Sequence, residues 1–504
     1  MWDGLVTAIP HVFEWQNVAA MILGTLAGIV FGALPGLTAT MGVGLLIPFT
    51  FTLDPLTGLL AMAGMYNGAI YGGSVAAVLV GVPGTPASVA TVFDGHVMAR
   101  KGEGTYALQV AAVSSAMGGI VSAVALIVVA PALARFALQF GPAEYFWVAV
   151  FGLSSVASFL ESSTIKGLIS AGIGLLVATV GTDKISGAVR FSFGNVNLMD
   201  GFPEIVILIG LYSIPQVLTI LEEWARGLAY QLSPVTGKGR PLFYNWRNLW
   251  PVWLRSSLIG IWIGIVPGAG GNVASFLGYN EAKRSSRHPE RFGTGIPEGV
   301  AASETANNAE TASAMIPMLT LGVPGNAVTA VMIGGLLVHG LHPGPSLFQK
   351  DVISVYGLMI GMLLTNVLFM LMGFYGARFF AQLLRVPSTL IAPLIVALSA
   401  IGTYSLNNSM WDVYAMLAFG LLGYVMQKLR IPVAPAVLAV ILGPMAEYEL
   451  RRALLIAASP LEIFTRPISA VLAVLTVLSL VIPVIRRPRA SGSARGQETV
   501  ASGF

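Results

Sequence analysis

Gly81-Val82-Pro83-Gly84 ends one apolar run of this chain, and Gly322-Val323-Pro324-Gly325 ends another at the matching place in the second half. A related pair precedes them, Gly32-Ala33-Leu34-Pro35-Gly36 and Gly264-Ile265-Val266-Pro267-Gly268. Proline and glycine interrupt helices, and an interrupted helix leaves backbone amides and carbonyls without partners. Lipid cannot satisfy those groups, so breaks at membrane depth must face protein or a water-filled cavity.

The composition is that of an integral membrane protein. Hydrophobic residues make up 55% of the 504 positions and charged residues 10%, whereas a soluble domain carries about 25% charged residues. A span needs roughly 20 apolar residues, so the chain has room for roughly 10 to 14 membrane segments, including broken or re-entrant helices. We therefore predict an all-α, polytopic fold surrounded by the lipid bilayer.

The two halves of the chain repeat one pattern. Val82-Pro83-Gly84 followed by Ala87-Ser88-Val89-Ala90 matches Val323-Pro324-Gly325 followed by Ala327-Val328-Thr329-Ala330. A polar, basic stretch with several prolines and glycines lies between the halves. We predict a first transmembrane repeat over residues 1–222, a linker over 223–250, a second transmembrane repeat over 251–485 and a disordered cytoplasmic tail over 486–504.

Loop charges indicate that the repeats have opposite orientations. The loop after the first break, residues 51–57, has no base, whereas its counterpart in the second half, residues 283–291, holds four. After the second break the difference is reversed, with Arg100 and Lys101 in the first half and no Lys or Arg in residues 340–348. Basic loops prefer the cytoplasm, so we predict two inverted-topology repeats. Loop charges that differ by drift are the alternative.

A polar segment follows the third break. On a helix, four of its oxygen-bearing side chains share one face. Carboxylate, amide and hydroxyl oxygens are hard ligands suited to small hard cations. A partly exposed helix start, with Glu304 in its first turns, is the alternative. The predicted cation-binding residues are Glu304, Asn307, Asn308 and Thr311, with Asn67 and Ser74 from the corresponding segment of the first half.

Small, hydroxylated or amide residues follow each break. Helix N-termini with free amides and hydroxyls bind carboxylates without Lys or Arg. Breaks at equivalent positions of two halves also indicate the substrate and ion site of a secondary transporter. For any single Ser or Thr, a bond to its own helix backbone is the alternative. The predicted substrate-binding residues are Pro35, Gly36 and Thr38; Pro83, Gly84 and Thr85; Pro267, Gly268, Gly270, Gly271 and Asn272; and Pro324, Gly325 and Asn326.

The residue inventory excludes several functions. The chain has no cysteine, so disulfides, thiolate metal sites and a Cys nucleophile are ruled out. Only His339 and His342 lie close together, and no carboxylate is near them, so we expect no transition-metal site and no cofactor beyond a coupling ion. No Ser/His/Asp, His-Glu-x-x-His or P-loop pattern occurs. We expect neither an enzyme nor an ATP-driven pump, and the basic clusters are an orientation signal rather than a nucleic-acid footprint.

Nine stretches together form a specific pattern, although each Pro-Gly is weak by itself. They are Gly32 to Gly36, Tyr71 to Ser74, Pro83 to Pro86, Asp94-Gly95, Ala99 to Gly102, Pro267 to Gly271, Ala301 to Asn308, Leu321 to Gly325 and His339 to Pro345.

This pattern resembles the TctA family, the large membrane subunit of tripartite tricarboxylate transporters, over nearly the whole chain. Two departures stand out. Gly81 lies where family members often have Asn, and Glu310-Thr311 replace a more usual run of small residues. The first weakens any role for residue 81, and the second puts an extra acid near the predicted site.

The resemblance implies three components: this chain as the translocation pathway, a small membrane subunit of about four spans and a periplasmic solute-binding protein. It implies import of tricarboxylates or related organic carboxylates, a small-molecule substrate class, by symport with a cation, usually Na⁺. It also implies a multi-pass protein of the bacterial cell inner membrane. A cation-selective channel and a non-transporting structural membrane subunit are the alternatives, but four repeated breaks beside an oxygen-rich stripe favour a coupled site.

Overall fold

The computed structural model describes most of the chain, and some of the predictions above lie outside it. Pro35 is outside the described residues, as are half of the predicted linker and the whole predicted tail, 486–504. The described residues are 2–34, 36–159, 164–183, 185–226, 239–241, 244–384, 388–457 and 459–485.

Helices dominate the first half, and local sequence explains where several of them begin. The Asp54 side chain accepts a hydrogen bond from Leu56 N at 3.0 Å, and Pro55 occupies the first turn of the next helix. Thr38 caps its helix in the same way, accepting from Met41 N at 3.2 Å. The helices are α1 Trp2–Val12, α2 Trp15–Ala33, α3 Ala39–Thr50, α4 Pro55–Leu79, α5 Val89–Met98, α6 Gly104–Ala137, α7 Pro142–Phe159, α8 Thr164–Ala178 and α9 Glu204–Ala225.

The described part of the second half contains more helices than the first. Helix α9 ends at Ala225 and the next helix begins at Trp246, so helical structure extends into both ends of the predicted linker. The helices are α10 Trp246–Ile265, α11 Gly270–Ser285, α12 Pro297–Ser313, α13 Met315–Leu321, α14 Ala327–Val338, α15 Leu347–Lys350, α16 Val352–Leu383, α17 Ser388–Asn407, α18 Met410–Lys428, α19 Ala434–Ile456, α20 Glu462–Thr465 and α21 Pro467–Ile485.

All four Pro-Gly motifs interrupt helices, as predicted. They separate α2 from α3, α4 from the 3₁₀ turn Pro86–Ser88 before α5, α10 from α11, and α13 from α14. Each break contains one glycine with a positive φ, a conformation that a side chain would disfavour. These glycines are Gly36 (φ 89°), Gly81 (76°), Gly268 (89°) and Gly322 (72°).

The all-α, multi-pass membrane fold is confirmed at a coarse level. Within the described ranges, five helical segments are long and apolar enough to cross a membrane. Four shorter apolar helices accompany them, two of which, α3 and α14, follow a break. The total of 10 to 14 segments stays a prediction. The five segments are Trp15–Ala33, Pro86–Ala137, Glu204–Glu222, Val352–Phe380 and Leu390–Asn407.

Glycines let helices α2 and α4 approach backbone to backbone. A Cβ at Gly28 would lie against the Met65 carbonyl, and a Cβ at Gly68 would lie against the Thr25 carbonyl. The same relation recurs between α10 and α12, where Gly260 faces the Ala306 carbonyl. Small residues at such spacing are how helices pack closely where burial of apolar surface gives no net drive.

Long-range packing exchanges elements between the halves. Helix α9, at the end of the first half, packs against α17 and α18, whereas α19 packs against α7 and α8. The long helix α6 packs against α12, and its counterpart in element order, α16, packs against α4. Helices of each half therefore pack against helices of the other half.

A short hairpin is the one part of the described chain that departs from the all-α prediction. Gly181–Thr182 pairs antiparallel with Val189–Arg190. Asp183 and Glu447 of α19 together face two guanidinium groups: Arg451 lies 3.0 Å from Asp183 and 2.7 Å from Glu447, and Arg190 lies 2.8 Å from Glu447. These four residues, Asp183, Arg190, Glu447 and Arg451, form an ionic cluster that connects the hairpin to α19.

Candidate functional site

Helix α12 is polar yet completely enclosed. Every residue from Gly299 to Ser313 is buried, because α6, α10 and α11 surround the helix together with α4 and α5. Several small residues of α12 and its neighbours make this packing possible, among them Gly118 of α6, which faces the Thr305 carbonyl. The predicted polar stripe therefore lies at the centre of the molecule.

Glu304 is a buried carboxylate held by neutral donors. Thr91 of α5 donates to one of its oxygens at 2.5 Å, and Ser115 of α6 donates to the other at 2.9 Å. Glu304 has no exposed surface, so the alternative of a partly exposed helix start is wrong for this residue. None of the ion pairs in the described part of the chain includes it.

The two asparagines of the stripe have unsatisfied polar atoms. Both amide atoms of Asn307 are buried without a hydrogen-bond partner. Asn308 donates from Nδ2 to the Glu304 carbonyl at 3.2 Å, while its Oδ1 has no partner. Thr311 donates to the Asn308 carbonyl at 2.9 Å, so its hydroxyl proton is satisfied within its own helix. Buried atoms of this kind are rare in folded proteins and indicate a ligand or an ordered water.

Glu310 also belongs to this centre, although the helical face chosen from the sequence leaves it out. Asn326 of the fourth break donates from Nδ2 to Glu310 at 2.6 Å and also to the Tyr66 hydroxyl at 2.6 Å. The Asn326 Oδ1 accepts from Thr329 N at 2.8 Å as the cap of α14. The cap fixes the direction of the amide, so Glu310 links α12 to the fourth break and to α4.

The breaks themselves adjoin one another. Gly268 N of the third break donates to the Gly325 carbonyl of the fourth at 2.8 Å. A Cβ at Gly271 would lie 3.2 Å from the Ala87 side chain, just after the second break, and 2.6 Å from Asn307 Oδ1. A Cβ at Gly84 would overlap the Gly32 carbonyl, which ties the second break to the first.

The predicted substrate residues do not all share one environment. Most of the described ones are buried or half-buried at these junctions, whereas Asn272 is exposed. Thr85 shares a hydrogen bond with Ser88 at 3.1 Å. The buried or half-buried set comprises Gly36, Thr38, Pro83, Gly84, Thr85, Pro267, Gly268, Gly270, Gly271, Pro324, Gly325 and Asn326.

The two predicted cation residues of the first half lie apart from the stripe's hydrogen bonds. Asn67 donates to Thr365 of α16 at 2.8 Å rather than to any residue of α12. Ser74 donates to the Tyr71 carbonyl of its own helix at 2.7 Å. The structure thus brings Glu304, Asn307 and Asn308 together on one buried helix and leaves Asn67 on another.

Asp94, which belongs to the family pattern but is not among the predicted site residues, is a further buried acid. Its carboxylate accepts from the backbone amides of Gly293, Gly295 and Ile296 at 2.7 to 3.1 Å. It also accepts from the Tyr279 hydroxyl at 2.9 Å. Asp94 of the first half therefore positions the start of α12, which carries the polar stripe.

Comparison with known proteins shows which family the chain belongs to. The model of the tripartite tricarboxylate transporter TctA family matches residues 18–438. The chain belongs to the TctA family. Membership makes it a subunit of a tripartite transporter, and this family is one of transporter subunits rather than enzymes.

Two relatives from Agrobacterium vitis show how far the similarity extends. The chain is 36% identical over 501 residues, 96% of each chain, to an uncharacterized 52.8 kDa protein in the TAR-I ttuC' 3' region. It is also 36% identical over 234 residues to an uncharacterized protein in the TAR-II ttuC' 3' region, covering 46% of this chain and 97% of that one. No solved structure matches. The family match and the first of these relatives both extend over the two halves of the chain.

Proposed function

We propose that this chain is the translocating subunit of a binding-protein-dependent secondary transporter that imports an organic carboxylate together with Na⁺. The observation that carries the proposal is Glu304, a fully buried carboxylate with neutral donors around it. A charge at such depth is costly unless it is compensated. The hydroxyls of Thr91 and Ser115 can rotate to present oxygen lone pairs, so the same groups that now donate can help to coordinate a cation.

The remaining ligands of the cation site come from the same helix. Asn308 Oδ1 is unpartnered one turn after Glu304, and the Thr311 oxygen lies one turn further. Asn307 projects from the adjoining position toward the third break. One carboxylate with neutral oxygens suits a monovalent cation, whereas divalent sites usually gather several carboxylates.

The substrate is a tricarboxylate or a related organic carboxylate in this proposal. Helices α3, α11 and α14 begin at three of the breaks, and their N-termini carry a partial positive charge that favours anions. Breaks two and three meet at Ala87 and Gly271, beside the unpartnered amide of Asn307. A carboxylate bound there would lie next to the cation site, which is the arrangement that symport requires.

The setting is the bacterial inner membrane, with a small membrane subunit and a periplasmic solute-binding protein as partners. Family membership supports the presence of further subunits. We also propose that the halves are inverted repeats. The exchange of α9 and α19 and the paired contacts α6 with α12 and α16 with α4 support a two-fold relation between them.

Uptake into proteoliposomes containing all three components tests the proposal. A labelled carboxylate should accumulate when Na⁺ is higher outside, and a proton gradient without Na⁺ should not replace it. Glu304→Gln should lower uptake about 100-fold or more, because the charged ligand is lost. Glu298→Gln, half-buried in the first turn of the same helix, is the matched control and should retain uptake.

The alternatives predict other outcomes. A channel would pass Na⁺ without substrate, and a structural subunit would leave uptake intact when Glu304 is replaced. Equal uptake under a proton gradient alone would contradict the assignment of the ion.

A further inference from the structure

The interface between α4 and α16 holds a second group of buried polar side chains. Asn67 of α4 donates from Nδ2 to Thr365 Oγ1 at 2.8 Å and to the Met362 carbonyl at 3.2 Å. Asn366 of α16 donates to the same Met362 carbonyl at 2.5 Å. The two amides therefore belong to one cluster, and none of the three polar side chains has any exposed surface.

Two oxygens of this cluster have no partner. Asn67 Oδ1 and Asn366 Oδ1 are both buried and unsatisfied. Their orientations are fixed, because each Nδ2 faces the Met362 carbonyl, which can only accept. A reversed amide would place two acceptors against each other. Leaving a buried acceptor unsatisfied costs about 1–3 kcal/mol, so two in one cluster indicate a ligand that the oxygens bind.

Glycine at position 119 allows one of these oxygens to lie directly against the backbone of α6. A Cβ on this residue of α6 would overlap Asn366 Oδ1. The Thr365 hydroxyl donates to the Gly361 carbonyl at 2.8 Å and accepts from Asn67, so one lone pair of its oxygen remains available beside the amides. Helices α4, α6 and α16 thus surround the oxygens.

The chemistry of the cluster selects the type of ligand. Amide and hydroxyl oxygens are hard, neutral ligands, and no carboxylate is among them. Hard oxygen ligands favour alkali and alkaline-earth ions over softer metals, and low ligand charge favours a monovalent ion over a divalent one.

The position of Asn67 in the chain adds an independent observation. Asn67 lies 16 residues before Pro83, and Asn308 lies 16 residues before Pro324. Each donates from Nδ2 to a backbone carbonyl and leaves Oδ1 unpartnered. Each also lies on a helix that packs against the long helix of the other half, α4 on α16 and α12 on α6.

We propose that Asn67, Thr365 and Asn366 form a second sodium site, separate from the one at Glu304 and Asn308. The inference rests on the proposed coupling to sodium and extends it: one ion binds on each of two equivalent helices. Import of one substrate would then use two ions, and both sites would have to be filled before the halves rearrange.

Equilibrium binding of ²²Na⁺ to the purified full-length protein tests this. The wild type should bind two ions per chain, whereas Asn67→Ala and Asn366→Ala should each bind one. In proteoliposomes the sodium concentration for half-maximal uptake should rise about tenfold or more in both variants. Asn366→Leu keeps the branched shape of the asparagine side chain but has no oxygen ligand and should also bind one ion, so it carries the test if an alanine variant fails to fold.

Asn17 provides the matched control. It is a buried amide of the same type, but its Nδ2 donates to the His11 carbonyl at 2.7 Å and its Oδ1 accepts from Thr57 at 2.5 Å. Asn17→Ala should still bind two ions. Two ions in both Asn67→Ala and Asn366→Ala, or a single ion in the wild type, would overturn the second site while leaving the first intact. A wild type that binds no sodium would overturn the proposed coupling itself.

Discussion

At the scale of single residues, Asp94 shows how one carboxylate in the first half orders a loop of the second. In Asp94→Ala, three backbone amides and the Tyr279 hydroxyl lose their acceptor. We expect a loss of at least about 2 kcal/mol in the free energy of unfolding, since the Ile296 amide and the Tyr279 hydroxyl are buried and each buried unsatisfied donor costs about 1–3 kcal/mol. Thermal or denaturant unfolding in detergent measures this.

Asp54→Ala is the control for this prediction. Asp54 caps a single amide, that of Leu56, and is exposed, so its removal should cost only about 1 kcal/mol. If the two variants lose equal stability, the network around Asp94 does not hold the start of α12.

Residue types and spacing reveal only part of the candidate site. The helical face with Glu304, Asn307 and Asn308 follows from periodicity alone, because α12 is a regular helix. Thr91 and Ser115 could not be predicted, since they approach Glu304 from helices about 200 residues away in the chain, and helical periodicity relates only close neighbours. Helical periodicity assigns Glu310 to a neighbouring face, but α12 is buried on every side, so that face also belongs to the site.

At the scale of elements, close packing between α6 and α12 makes Gly118 sensitive to substitution. Gly118→Ala would press a methyl group into the Thr305 carbonyl, and overpacking of this kind costs about 1–3 kcal/mol. Gly172 of α8 has nothing within 4 Å of its Cβ position, so Gly172→Ala should be neutral or gain up to about 1 kcal/mol of helix propensity. The free energies of unfolding of both variants, measured in detergent, give the comparison. Equal effects would show that the interface between α6 and α12 tolerates a larger separation of the helices.

The hairpin should lose order in acid. The backbone amides of Ser186 and Ile185, followed by the charge of Arg451, lower the pKa of Asp183 to about 2 from its ordinary 3.8. Because the folded pKa is the lower one, the ionised carboxylate stabilises the folded hairpin above about pH 4, and this contribution is lost as the pH falls toward about 2.

Hydrogen exchange of the hairpin amides, corrected for intrinsic rates, measures the effect. Protection should fall between about pH 4 and pH 2 in the wild type. Asp183→Asn should show low protection already at neutral pH and little further change. Protection that stays constant across this range in the wild type would contradict the role of the ionic cluster.

The elements themselves were only partly visible in the sequence. All four helix breaks were predictable, because Pro-Gly acts through local backbone sterics that hold in any surroundings. The hairpin at Gly181–Thr182 was not, since two-residue strands are too short to show an alternating pattern. The extension of α10 into the predicted linker was missed because polar composition there suggested a loop, whereas the stretch from Trp246 onward packs its buried face on neighbouring helices.

At the scale of the whole molecule, the orientation of the halves decides how alternating access could work. Inverted repeats place the loop before α4 and the loop after α11 on opposite sides of the membrane. We expect Leu53→Cys to react with an impermeant thiol reagent in intact cells and Ser286→Cys to react only after lysis. The chain has no native cysteine to interfere. Reaction of Ser286→Cys from outside would mean that the repeats are parallel or that loop charge is not the orienting signal.

The exchange of α9 and α19 between the halves has a consequence for synthesis. Helix α9 is complete at Ala225, but its neighbours α17 and α18 end only at Lys428. Synthesis proceeds at about 5–20 residues per second. The helices against which α9 packs are therefore completed roughly 10–40 s after α9 itself. During that interval the packing surface of α9 is uncovered unless a chaperone or an insertase binds it. If translation stalls there, the first half stays accessible to quality-control proteases. If translation is arrested between the halves, the half-length chain should disappear rapidly in pulse-labelled cells. Its persistence would mean that the first half packs stably without its partner helices.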